Sequence, residues 1–550
     1  MKNHISLCIL IFSSLFWTFD TTAQDINIKG LNTKIESLIP AVINDTTPGL
    51  VVGVIHNGEL VFSKGYGLAN LSYNIPNDSK MIYNLGSVSK QFLGYAFAIL
   101  HTEGKINVDD PVGKYLENWP EFDQEVTIRN LLTHTSGYRE AYTMSDIAGR
   151  TIGIDRLTRK ECLDVVRNQP KLEFTPGSRF TYNSTAWVIL AEILEKVTEQ
   201  PAHKWVKENV LIPLGMKNTY IESFVGKVMP NAAESYYYDR YMGYGNPKSN
   251  RAIFGAAEVY SSIEDMANWI TNFQTYKVGG KTAMHTFLTP YELNDGANSE
   301  YGFGIRNSMH KGLILYSHTG AHESFFTQLR YYPEHNLGIV AISNYERNGS
   351  LPTNKIAEYL LEDYMKFPEE VTYAPFEIKK EQLQQFAGTY LSPLRNETTN
   401  LELINDTLTI WGGLKLIPIS ADTFYTKEWG GKFEIYSSNN APPQLAILAD
   451  SKSTFQKVDD WNPLVKELQE YEADYWSQEL ETTYHLMVRG DRLIIQHRWL
   501  GEIGLKPITH DLFKSDWGWF LQIERTEENK IAGFNINSNR TLNVFFEKKK

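Results

Sequence analysis

Cysteine is almost absent from this 550-residue chain: there are two, Cys8 and Cys162. Cys8 lies in a segment with the marks of a removable leader, so the mature chain is expected to hold one thiol. That excludes an internal disulfide scaffold and any cysteine-based zinc cluster. Positive charge is also in deficit, with 53 Lys and Arg against 65 Asp and Glu and a net charge of −12. A nucleic-acid or anionic-membrane partner needs the opposite balance. Past the N-terminus no apolar run is long enough to cross a bilayer of about 30 Å, so no transmembrane span is expected in the mature chain. What is present is apolar residues at 42% and aromatics at 13%, enough for several packed cores and too many for a disordered chain. The length alone predicts about three to four domains.

At the N-terminus Lys2 and His4 precede the apolar run Ile5 to Phe19, followed by Asp20 and Thr21-Thr22-Ala23-Gln24. A charged start, an apolar middle and a small-residue exit predict a signal peptide over 1–23 with cleavage after Ala23. The run is too short to span a bilayer. An exported acidic protein without disulfides suits the bacterial periplasm or exterior.

Beyond the leader the pattern divides into one large unit and a tandem repeat. Leu50 to Ile55 and Leu60 to Phe62 flank the turn His56-Asn57-Gly58 and read as a hairpin. Helical patterns run from about Ser87 to Glu103, Ala186 to Thr198 and Pro352 to Met365, and three apolar strands come late, between Gly312 and Ser343. This predicts an α+β domain over 24–366, an antiparallel sheet flanked by helices. Phe367 to Pro375 reads as a linker. After it the chain repeats itself. Leu383 to Tyr390 matches Leu468 to Tyr475, and Asp406 with Leu408 matches Asp491 with Leu493. Leu416-Ile417-Pro418-Ile419 then matches Leu505-Lys506-Pro507-Ile508 at a slightly larger shift. Residues 376–460 and 461–550 are therefore expected to be two copies of a small all-β unit, each a barrel of about eight strands. Neither copy shows a catalytic set of its own.

The candidate chemistry lies before the linker. Ser87 and Lys90 are three apart at the start of a helical pattern, so they share one face. A serine needs a neighbouring base to become a nucleophile, and a lysine can serve once burial or another cation lowers its pKa. Spacing alone is weak support, because Ser-x-x-Lys recurs by chance. Two further stretches add to it. Tyr182 sits in Phe180-Thr181-Tyr182-Asn183-Ser184, just after the turn Pro176-Gly177 and before a helix, where a tyrosine can handle the serine proton. In Ser317-His318-Thr319-Gly320-Ala321 a strand can present His318, Gly320 permits close approach of backbone, and the Ala321 N–H can join that of Ser87 as an oxyanion hole. His318 and His322 are four apart, but no third ligand is nearby, so no metal site and no cofactor is expected.

Taken together, Ser87-Val88-Ser89-Lys90, Tyr182 with Ser184, and His318-Thr319-Gly320, in this order, resemble the serine β-lactamase and penicillin-binding-protein superfamily, in its class C-like branch. Thr127 to Gly137, Pro213 to Met216 and Tyr301 to Gly304 agree, and the resemblance covers about residues 30–365. It implies Ser87 as acylated nucleophile and Lys90 with Tyr182 as the proton-handling pair; His134 reads as structural. Two departures stand out. Ser184 occupies the place of the usual Asn in Tyr-x-Asn, and His318 that of the usual Lys in Lys-Thr-Gly. Ser184, His318, Thr319 and Gly320 are thus expected to bind substrate, but His318, with a reference pKa near 6.5, offers little charge to a substrate carboxylate at neutral pH. His-Thr-Gly with two trailing barrels resembles the D-aminopeptidase group and related esterases. The expectation is an exported serine hydrolase cleaving an amide or ester in a small molecule or peptide, as a D-amino-acid peptidase or amidase. Carboxylesterase, β-lactamase and a non-hydrolytic binder of penicillin or peptidoglycan fragments are the alternatives.

Overall fold

The computed structural model describes residues 26–367 except 152–153 and 346–350, and residues 373–549 except 375, 393–396, 428–430, 439–440 and 449–451. The leader assigned to 1–23 lies outside the described residues, as does part of the linker.

The Asn57-Gly58 turn closes the hairpin anticipated for it, with Asn57 and Gly58 both at positive φ. Its strands are β1 (Leu50–His56) and β2 (Glu59–Tyr66). The late strands are β3 (Arg306–His310), β4 (Leu313–His322), β5 (Phe325–Tyr332) and β6 (Leu337–Ser343). They form one antiparallel sheet in the order β3-β4-β5-β6-β1-β2. Early and late strands of this unit therefore meet inside the sheet, where Leu50 pairs with Ser343 and His56 with Leu337.

Alternation along these central strands fills two cores, since successive side chains point to opposite faces. Val51, Ile55, Val340 and Ile342 face a helical layer. Leu50, Val52, Val54, Ile339 and Ala341 face α1 (Leu31–Leu38) and the helix Thr353–Leu360. Both strands are buried on both faces, which explains their near-continuous apolar sequence. In the helical layer α2 (Lys90–Thr102) is buried all round from Lys90 to Leu100. A helix apolar on every side belongs in a core, and this one starts against β4, the strand next to the sheet edge. α3 (Ser184–Thr198) and α4 (Ile263–Thr275) pack in the same core.

Two β units follow. The second is a closed barrel of eight strands running from Ala473–Ser477 to Val544–Lys548. The first is a nine-stranded sheet whose two edge strands are Leu414–Lys415 and Ile417–Pro418. One residue, Leu416, separates those edges, so this sheet also returns on itself. The matching strand of the second unit, Gly501–Thr509, is continuous, with a register shift after Pro507. Pro418 and Pro507 occupy the same point of the repeat, paired with Phe424 and Phe513 respectively, and the irregularity falls before the proline in the first unit and after it in the second. Tyr390 and Tyr475 are likewise equivalent: each is fully buried and donates its hydroxyl to the carbonyl four residues earlier, Phe386 at 2.8 Å and Tyr471 at 2.9 Å.

The second barrel docks against residues 139–149. Met144 and Ile147 are part of its hydrophobic cluster, and the Tyr484 hydroxyl donates to the Ile147 carbonyl at 2.6 Å. Arg139, 1% exposed, donates to both carboxylate oxygens of Glu479, at 2.7 and 3.0 Å, to Glu173 at 3.1 Å, and to the carbonyls of Leu542 and Asn543. Burial pushes the Glu173 carboxyl up to about 8 despite the guanidinium beside it. Among the described residues no helix is long and apolar enough to cross a membrane.

Candidate active site

Ser87 was expected in the first turn of an α-helix. It lies instead in a 3-10 turn, Gly86–Ser89, that feeds directly into α2 at Lys90. β4 runs hard against this turn, and two glycines make that possible. A Cβ on Gly320 would sit 2.0 Å from the Leu85 carbonyl oxygen and 3.1 Å from the Ser87 nitrogen. One on Gly86, at φ +54, would sit 2.6 Å from the Ala321 nitrogen. Any side chain at either position would push the strand off the serine.

Behind the turn, Lys90 donates from Nζ to Ser87 Oγ at 3.2 Å and to the Ala256 carbonyl at 2.5 Å. It is fully buried, and burial, aided by the Arg540 charge, lowers its pKa to about 7. Its Nζ lies 5.0 Å from the centre of the Tyr182 ring. The Tyr182 hydroxyl is buried without a hydrogen bond of good geometry, although the nearby Ser87 hydroxyl favours its ionised form. Burial dominates and raises Tyr182 to about 12.

The loop bearing Tyr182 is held by His134. Asn183 N donates to His134 Nδ1 at 2.9 Å, Thr181 N to the His134 carbonyl at 2.8 Å, and the His134 ring stacks on Tyr182 at 4.1 Å. Asn183 does not reach the pocket. Its side chain caps α3 through Ala186 N and binds the carbonyls of Tyr138 and Arg139. Ser184 lines the pocket instead.

His318 is buried in β4. Nδ1 contacts the Thr319 carbonyl at 2.6 Å, and a carbonyl can only accept, so Nδ1 carries the proton. Nε2 then accepts from the Tyr301 hydroxyl at 2.8 Å. Burial, with the Lys90 charge, lowers this imidazole to about 3. It is neutral at any working pH and both its nitrogens are already engaged.

These groups open on a cavity of about 660 Å³ that brings together Ser87, Tyr182, Ser184, His318, Thr319, Gly320 and Ala321. The cavity also takes in His322 and Glu323, which follow the Ala321 stretch, and reaches residues that the sequence did not single out: Asp146, Arg251, Arg306 and Arg540. Arg540 comes from the second barrel. Although neither repeat carries a catalytic set of its own, docking through Arg139 brings the second to the rim of the site. A signal for it existed. The loop before the last strand of the second repeat spans 538–543, whereas the matching strands of the first, Ala441–Leu448 and Lys452–Lys457, lie closer together in sequence. For Asp146 and Arg251 no local pattern marked a role.

An antiparallel sheet, a buried helix that starts against it and a serine beside a buried lysine define the serine-hydrolase class shared by β-lactamases and penicillin-binding proteins. The chain belongs to the β-lactamase family, whose pattern matches residues 35–361. Penicillin-binding protein 4* of Bacillus subtilis is 24% identical over 425 residues, covering 72% of this chain and 91% of that one. A D-aminopeptidase of Cereibacter sphaeroides is 26% identical over 302 residues, 54% of this chain and 57% of the relative. Among solved structures, the octameric penicillin-binding protein homologue from Pyrococcus abyssi shares the fold at 23% identity and a TM-score of 0.52, covering 78% of this chain and 98% of that one.

Proposed function

We propose that this protein is an exported serine hydrolase cleaving an amide or ester bond through an acyl-enzyme on Ser87, acting on D-amino-acid peptides or amides. The supporting observation is the Ser87–Lys90 pair at 3.2 Å with Lys90 brought to about 7. At neutral pH much of the lysine is then an uncharged amine. Its two N–H groups suffice for the Ala256 carbonyl, and its lone pair is free for the serine proton. Ser87 Oγ attacks the substrate carbonyl carbon as its proton passes to Lys90 Nζ. The backbone N–H groups of Ser87 and Ala321 receive the resulting oxyanion in this reading, which the close packing of Gly86 against Ala321 supports. The carbon–nitrogen or carbon–oxygen bond breaks, the leaving group takes the proton back, and water later releases the acid. Tyr182, protonated to about 12, serves this cycle as a hydrogen-bonding relay rather than as the resting base.

In this reading residues 1–23 are a cleaved leader, 24–366 the hydrolase domain, and 376–460 and 461–550 two β-barrel domains. The small-residue exit at Ala23 supports export to the periplasm or the medium. D-Aminopeptidase kinship supports the substrate class.

Fluorophosphonate labelling with mass mapping tests the nucleophile. Label on Ser87, lost in Ser87→Ala together with several orders of magnitude in turnover, is the expected result. An adduct mapped elsewhere, or full labelling of the alanine variant, refutes it. A panel of D-amino-acid amides, short acyl esters and a chromogenic cephalosporin then decides the substrate: fastest turnover of the amides is expected, and a preference for cephalosporin overturns that assignment.

A further inference from the structure

The cavity beside Ser87 carries charge that no counter-ion among the described residues balances. Arg251 is neutralised by Glu323 at 2.5 Å. Arg306 and Arg540 have no carboxylate partner among the described residues, and neither does Asp146 have a cationic one, although all three line the cavity. Burial and the Glu140 charge raise the Asp146 carboxyl to about 6, so near neutrality it still counts for most of one negative charge. The two guanidinium groups outweigh it.

Of the two arginines, Arg540 is the better placed. Arg306 is exposed at the start of β3, whereas Arg540 is half-buried and lies 5.3 Å from the centre of the Tyr182 ring. Charges in partly enclosed sites are less screened than those in open water. Its loop is tied down in advance. Arg540 N and Thr541 N both donate to Ser538 Oγ, at 3.3 and 3.1 Å, and Asn543 N donates to Asn537 Oδ1 at 2.8 Å. Buried Arg139 holds the carbonyls of Leu542 and Asn543. The loop backbone is fixed in this way, the guanidinium stands over the Tyr182 ring, and its fork of N–H donors matches the two oxygens of a carboxylate. His318, in contrast, has no charge and no free nitrogen to offer.

We propose that Arg540, assisted by Arg306, anchors a carboxylate of the substrate. The second β unit, and not the position of His318, then sets a preference for substrates with a carboxylate near the bond to be cut. This rests on the Ser87 reading only for where that bond lies.

Equilibrium binding to the full chain carrying Ser87→Ala tests it, with D-alanylglycine and D-alanylglycinamide as probes that differ only in the carboxylate. Calorimetry should show the acid bound about tenfold more tightly, the lower end of what a charge-assisted hydrogen bond contributes. Adding Arg540→Gln should reduce that preference to about twofold or less, and Arg540→Lys should keep part of it. Equal affinity for the two probes, binding of neither at millimolar concentration, or a preference untouched by Arg540→Gln overturns the proposal. Labelling of the unmutated chain separates the two readings. An absent label with an intact acid preference sinks the nucleophile and spares the anchor; label on Ser87 without the preference does the reverse.

Discussion

Residues 376–460 and 461–549 carry the same tyrosine-to-carbonyl bond, the same proline in the same strand and the same way of closing a sheet. Their surroundings differ. The first unit touches the second: Leu391 and Val458 pack against Ile508, Leu512 and Phe520, and Lys514 Nζ donates to Thr398 Oγ1 at 3.0 Å. Among the described residues no hydrogen bond joins it to residues 26–365. The second unit is welded to those residues by Arg139 and reaches the cavity with Arg540. One fold used twice thus contributes no described residue to the cavity in one copy and a wall of it in the other. Loop length and one buried ion network separate the two uses, not the barrel core.

Breaking the weld should have the largest effect. Arg139→Ala leaves Glu479 charged and buried beside two carbonyls without a donor, and removal of one partner from a buried network costs about 3–5 kcal/mol. Chemical denaturation should show a loss of that size, with a second transition for the released barrel. A single, unshifted transition would mean that the barrel is held by something else. Smaller and equal losses are expected from Tyr390→Phe and Tyr475→Phe, about 1 kcal/mol each for one buried hydrogen bond. Only the second should also perturb turnover, because only its barrel lines the cavity. Equal effects on turnover would erase the distinction between the repeats.

A third comparison uses pH. kcat/KM for a neutral amide should rise as pH passes about 7, where Lys90 loses its proton. It should then stay level, since Tyr182 keeps its proton to about 12. Burial is the main cause of the lowered lysine and Arg540 the second. Arg540→Ala should therefore move the rising limb to higher pH without restoring an ordinary lysine. A limb that does not move would show that the barrel has no electrostatic reach into the site. The smallest effect is expected between the repeats: Lys514→Ala, which removes one partly exposed contact to Thr398, should change stability by no more than about 0.5 kcal/mol.

Local chemistry made much of this legible in the residues themselves. The pitch of a helix puts Ser87 and Lys90 on one face, short unbroken apolar runs mark the two-sided β1 and β6, and Asn57-Gly58 names its own turn. The repeat shows because equivalent cores need equivalent residues at equivalent spacing. The form of the Ser87 turn was less legible, since a 3-10 turn and the first turn of an α-helix differ by one hydrogen bond in the register. What only the tertiary structure decided is long-range. Lys90 near 7 and His318 near 3 follow from burial beneath elements far away in the chain, and desolvation leaves no trace in local sequence. The same holds for Arg540. A guanidinium on a barrel loop looks like any solvated arginine until Arg139, four hundred residues earlier, fixes that loop beside Ser87.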